Sequence, residues 1–136
     1  MSISEHRKRQ VWPDGSLNKG FGIIAMLDIE STQLEKAVLV KVSGRLDAGN
    51  TSQFQSECDT WIAKGATRIV VELSSLQYVS SMGLSSFLAV AKALQPKSGT
   101  LILCGLQGLP RQVFEMTRLI GLFPVFDTTE AALASL

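Results

Sequence analysis

Apolar and polar positions change period several times along this chain, and each change marks an expected element. Residues 1–20 show no sustained period. Trp12, Pro13, Gly15 and Gly20 are scattered among polar side chains there, and the leader, 1–21, reads as an extension outside the core. "GIIAMLDI" (22–29) and "AVLVKVSGRL" (37–46) then read as two strands, the second alternating Val38, Val40 and Val42 against Leu39, Lys41 and Ser43. The polar stretch between them predicts an antiparallel hairpin.

The period then lengthens. After Thr51, a candidate cap, Phe54, Cys58, Trp61 and Ile62 recur at helical spacing and Gly65 supplies the stop. "RIVVEL" (68–73) is short, apolar and β-branched, as an interior strand covered on both faces should be. In "YVSSMGLSS" (78–86) two serines follow a strand-like apolar run, and Leu84, Phe87, Leu88, Ala91 and Leu94 define the next helix, ending near Pro96 and Gly99. "TLILCGL" (100–106) is a further buried strand. "QGLPRQVFEMTRLIGL" gives a helix with Pro110 in its first turn and Val113, Phe114, Met116 and Leu119 on or beside its apolar face. "FPVFD" makes a short edge strand tolerant of Pro124, and "TTEAALASL" a last helix capped by Thr128 or Thr129. Strands alternating with helices after a hairpin specify one α/β domain, 22–136, with a mixed, mostly parallel sheet of about four to five strands and about four helices.

Composition narrows the function classes. Of 136 residues 46% are apolar and 18% charged, which fits a folded domain with a substantial core. The net charge is +1, and four of the thirteen basic residues (Arg7, Lys8, Arg9, Lys19) lie in the first twenty positions, so no broad nucleic-acid footprint is expected. Arg7-Lys8-Arg9 reads as a solvated tail or a short electrostatic patch. No apolar run approaches the ~18 residues of a membrane span, and "FGIIAML" ends in acidic residues instead of a cleavage site, so no membrane insertion and a cytoplasmic location are expected. Cys58 and Cys104 fall within periodic apolar segments without metal-ligand spacing, as buried reduced thiols do.

In open α/β sheets, ligand-facing positions gather beyond the carboxyl ends of the strands. Two loops qualify. "GRLDAGNTSQF" (44–54) offers Asp47 and Asn50, and "LQYVSSMGLSSF" (76–87) offers Tyr78, Ser80 and Ser81. They face one another only if their strands are neighbours. A serine at a helix start can cap it, and the unpaired N–H groups and partial positive charge there can also hold a phosphate.

"VSGRLDAGNTSQF", "RIVVELSSLQYVSSMGLSSFLAVAKAL" and "LILCGLQGLPRQVFEMTRLIGLFPVFDTTEAAL", in that order, closely resemble the STAS domain of bacterial anti-sigma factor antagonists and sulphate-type transporters, over about 22–136. The resemblance implies a protein-binding switch. Such antagonists bind an anti-sigma factor that is also a serine kinase of the GHKL type. Phosphorylation at the strand-to-helix junction expels the antagonist, and a PP2C-type phosphatase restores it. Carried across, the acceptor is Ser81, with Ser80 as the alternative, and Asp47 is the acidic residue of the first loop. The implied partner surface takes in Asp47, Asn50, Ser80, Ser81, Met82, Ser85 and Lys92. Phosphorylated members often read Asp-Ser-Ser-Gly here, whereas this chain has Ser80 in place of the Asp and Met82 before Gly83. Met82 either packs inward or enlarges the partner surface.

Catalysis lacks its parts. The one histidine, His6, lies in the leader, and there is no GxSxG, Walker A or GxGxxG sequence. Neither a metal nor a cofactor is implied. The competing reading is an unphosphorylated STAS scaffold or sensor, with small-ligand binding in a pocket a lesser variant. The leader is left to order on a partner or to mediate homodimer formation, with Trp12 as its anchor.

Overall fold

Three apolar segments, Val38–Val42, Ile69–Val71 and Leu101–Leu103, fill the middle of one sheet. The computed structural model describes residues 27–136. The leader expected at 1–21, with its basic triplet, His6 and Trp12, and residues 22–26 of the expected first strand lie outside the described residues. Strand β1 is Leu27–Gln33, β2 Val38–Leu46, β3 Arg68–Glu72, β4 Leu76–Val79, β5 Thr100–Cys104 and β6 Val125–Phe126. Helix α1 is Thr51–Ala63, α2 Ser81–Leu94, α3 Gly108–Met116 and α4 Thr129–Ala134.

The six strands follow the order β1-β2-β3-β5-β6, and β4 pairs with β2 beyond the end of β3. β1 and β2 form the expected antiparallel hairpin, and the other pairings are parallel. The domain is therefore an α/β fold opening on a hairpin. β4 raises the strand number above the expected four to five. Its four residues are too few for a period of two to stand out, and the sequence presents them as a loop.

Strand β1 runs further than the pattern predicts, through Glu30, Ser31, Thr32 and Gln33. Leu27, Ile29 and Ser31 share its inward face, and Ser31 is fully buried because its hydroxyl has a partner. It donates to the buried Glu57 carboxylate on α1, which also accepts from Trp61 Nε1 at 3.3 Å. A polar residue thus continues a strand where its hydrogen bond is met inside.

The two faces of the sheet are covered unequally. Val38, Val40, Val42, Ile69, Val71, Leu101 and Leu103 pack with side chains of α1, α2 and α3, whereas Val70, Ile102 and Cys104 meet Ala132 of α4 on the other face. A ladder of rings ties the three-helix side together: Phe54 to Phe87 at 4.9 Å, Phe87 to Phe114 at 5.4 Å and Phe114 to Phe123 at 6.4 Å between centroids. Val70 and Leu84 mark the two layers, at 0% and 5% exposed. Leu84→Ala is expected to cost about 2–5 kcal/mol and Val70→Ala about 1–3 kcal/mol in urea unfolding, from lost burial and the cavity left behind. A loss under 0.5 kcal/mol in either would remove that side chain from the core.

Helix ends follow local chemistry. Helix α1 closes in a Schellman turn, in which Gly65 (φ 104°) donates to Ile62 and Ala66 to Trp61. The expected long helix after Pro110 instead breaks in two. Thr117 Oγ1 bonds back to Val113 O at 2.8 Å, Arg118 turns left-handed (φ 65°), and a 3₁₀ turn takes Leu119–Leu122. Met116 is not on the apolar face: two residues past the buried Phe114 it has turned about 200° around the helix, and it stands 81% exposed. Cys58 and Cys104 are buried and unbridged, and desolvation pushes both thiols up, so they stay protonated. No helix among the described residues is long and apolar enough to cross a membrane.

Candidate functional site

The two loops singled out in the sequence meet because their strands are neighbours. Leu46 at the end of β2 pairs with Val79 at the end of β4, and Ser80 N–H donates to Leu46 O at 3.0 Å. Asp47, Asn50, Ser80, Ser81 and Met82 therefore share one end of the sheet. The first loop is short, 47–50, since β2 reaches Leu46 and α1 begins at Thr51, itself a buried helical residue instead of the expected cap.

Ser80 and Ser81 take different positions. Ser80 is the N-cap of α2, and its hydroxyl oxygen accepts the Gly83 amide at 3.1 Å. The cap satisfies one of the amides that every helix start leaves without a partner. Ser81 is the first helical residue and its side chain is exposed. The first turn of α2 carries no acidic side chain, so the partial positive charge of the helix start is not neutralised from within the helix.

Gly83 explains how the helix comes so near the strand. A Cβ there would lie 2.7 Å from Val79 Cγ2 and 2.8 Å from Leu46 O. Only a glycine lets the first turn of α2 settle against the end of β2. One turn on, Ser86 buries its hydroxyl by donating to Gly83 O at 2.5 Å.

Met82 points outward, 53% exposed, and so adds apolar surface beside Ser81. Ser85 and Lys92 are exposed as well. At about 100° per residue, Ser81, Ser85 and Lys92 fall within about 40° of one another on one stripe of α2, but Lys92 stands about 16 Å along the axis from Ser81. The structure thus gathers five of the seven expected contact residues at the junction, puts Ser85 one turn away and leaves Lys92 at the far end.

The first loop is tied to itself. Asp47 Oδ1 accepts the Gly49 amide at 3.1 Å, Asn50 Oδ1 accepts the Asp47 amide at 2.9 Å, and Asn50 Nδ2 donates to Arg45 O at 2.9 Å. Behind it, Arg45 lies over the Tyr78 ring at 4.2 Å, which links β2 to β4 on the sheet face away from the core. Among the described residues, no three His, Cys, Asp or Glu side chains come together as a metal would need. Sequence reasoning missed the parts that act through the backbone, the Leu46 carbonyl and the closeness of Gly83. The glycine two residues after the serine pair was the available signal.

An α/β domain with an exposed serine at the first turn of a helix, set beside a self-braced loop, is the class of protein defined here. Residues 28–132 match the STAS domain family, and the chain belongs to it. A candidate anti-sigma factor antagonist of Bordetella bronchiseptica, BtrV, is 35% identical over 103 residues, spanning 76% of this chain and 89% of the relative. The anti-sigma-B factor antagonist of Staphylococcus aureus is 32% identical over 104 residues, 76% of this chain and 96% of the relative. Among solved structures, Bacillus SpoIIAA in its phosphorylated form superposes with a TM-score of 0.63 at 25% identity, covering 81% of this chain and 98% of that one. An anti-sigma factor antagonist from Mycobacterium paratuberculosis shares the fold with a TM-score of 0.73 at 20% identity, over 93% and 97% of the two chains.

Proposed function

We propose that this chain is an anti-sigma factor antagonist, a protein-binding switch set by phosphorylation of Ser81. With Ser81 unmodified it binds an anti-sigma factor serine kinase of the GHKL type, through Ser81, Met82, Ser85 and the loop bearing Asp47, with Lys92 at the rim. Transfer of the ATP γ-phosphoryl group to Ser81 Oγ adds about −1.5 to −2 charges where the partner accommodates a hydroxyl, and the complex separates. A PP2C-type phosphatase hydrolyses the ester and restores binding. The chain is thus the substrate and ligand of other enzymes and no catalyst itself, and it works in the cytoplasm, without direct contact to nucleic acid.

One observation carries this reading: Ser80 uses its hydroxyl as the cap, so Ser81 is the serine whose hydroxyl is open to a kinase. The names of the relatives from Bordetella and Staphylococcus, and the phosphorylated state of the Bacillus structure, support it. The test is intact-mass and peptide mapping after incubation with ATP and the kinase recovered from the chain's own cells. One phosphate is expected on Ser81, and Ser80→Ala should leave it in place. Phosphate on Ser80 would move the acceptor by one residue. No phosphate on either serine would make the chain a STAS scaffold or sensor.

A further inference from the structure

Asn50 occupies the N-cap position of α1 but makes no side-chain cap. Asparagine is among the best capping residues, so a side chain that leaves the helix amides unserved is committed elsewhere. Both ends of its amide are used within the loop: Nδ2 on Arg45 O and Oδ1 on Asp47 N, each at 2.9 Å. Those two groups flank Leu46. The Leu46 carbonyl in turn receives the Ser80 amide at 3.0 Å and lies 2.8 Å from where a Gly83 Cβ would stand.

From this chain of contacts we infer that Asn50 is a positioning residue: by clamping the backbone on both sides of Leu46 it fixes the carbonyl that holds the start of α2, and so sets where the Ser81 hydroxyl is presented. Its amide faces its own loop, so the partner meets the result of the clamp and not the side chain. The inference rests on the reading of Ser81 as the switch residue. Its structural half stands independently, because the link from Asn50 to the Ser80 amide exists whatever Ser81 does. A hydroxyl displaced by even ~1 Å transfers a phosphoryl group far more slowly.

The full chain carrying Asn50→Ala tests this by amide hydrogen exchange. Protection of the Ser80 amide is expected to fall about tenfold or more relative to the Leu73 and Leu103 amides, whose acceptors Cys104 O and Pro124 O lie elsewhere in the fold and report overall stability. With the kinase, transfer onto Ser81 measured at saturation, where the rate no longer depends on how tightly the loop is bound, should slow about tenfold or more. Asn50→Asp keeps the acceptor for Asp47 N–H but sets a carboxylate oxygen against Arg45 O. It should lower Ser80 protection as well, and it serves as the readout should the alanine variant fail to fold. Unchanged Ser80 protection in the folded variants would overturn the clamp, and a weakened Kd with unchanged protection would make Asn50 a direct contact instead. If wild-type Ser81 takes no phosphate, the switch reading fails, and the exchange measurement still decides the clamp.

Discussion

Gly83→Val is expected to lower the stability of this domain by about 2 kcal/mol or more and to loosen the start of α2, although valine is a better helix former than glycine. Glycine inside a helix costs about 0.5–1 kcal/mol relative to alanine, so without tertiary contacts the substitution would stabilise. Here the first added carbon already meets Val79 Cγ2 at 2.7 Å, Leu46 O at 2.8 Å and Leu46 Cγ at 3.2 Å. One of the three is backbone and cannot swing away. Forcing extra carbons into such a site typically costs about 1–3 kcal/mol, and valine brings two methyls beyond the Cβ. Gly121→Ala is the control, since a Cβ at that position meets nothing within 4 Å, and it should stay within about 0.5 kcal/mol of wild type. Urea unfolding of the two variants side by side decides the matter. A Gly83→Val protein as stable as wild type would show that α2 is free to lift off β2 and that the junction does not require glycine.

How far the sequence led depended on the kind of signal each feature leaves. The interior strands were legible because β-branched runs such as "RIVV" have few alternatives, and α1 because Phe54, Cys58, Trp61 and Ile62 repeat at one spacing; all four are buried. The expected first strand stops at Ile29, short of Gln33, because the residues that follow are polar. Ser31 sits in a strand only through the carboxylate of Glu57, 26 positions on, and no local window contains that pair. β4 looks like loop in the sequence for a related reason. Four residues become a strand by pairing with the far end of β2, which is a property of topology and not of their own composition. The serine pair was legible as a junction, but the division of labour within it was not. That Ser80 caps and Ser81 faces outward follows from where the helix begins, and one residue of slippage would exchange the roles. That both ends of the Asn50 amide are engaged within its loop depends on the loop's backbone path and leaves no mark in the local sequence.

Ser81→Asp should bind the cognate anti-sigma kinase at least about tenfold more weakly than wild type, a loss of about 1.4 kcal/mol or more, while the domain stays as stable or gains slightly. The two expectations have separate causes. Within the domain, a carboxylate at the first residue of α2 faces the positive end of the helix, where no acidic side chain of the first turn competes, and such a charge typically contributes about 0.3–1 kcal/mol. Across the interface, the same charge loses water against a surface shaped for a neutral hydroxyl, with exposed Met82 beside it to exclude solvent. Aspartate brings one negative charge and a phosphate brings about 1.5 to 2, so the variant should weaken the complex less than the phosphorylated wild type does. Ser81→Ala removes only an exposed hydroxyl. It should bind within about threefold of wild type and accept no phosphate at this position, since the Ser80 cap remains in place. Calorimetric titration of the kinase with the three proteins, together with their melting temperatures, separates the contributions. Tight binding by Ser81→Asp would place the partner surface away from the start of α2, and weak binding accompanied by a lowered melting temperature would trace the loss to unfolding instead of charge.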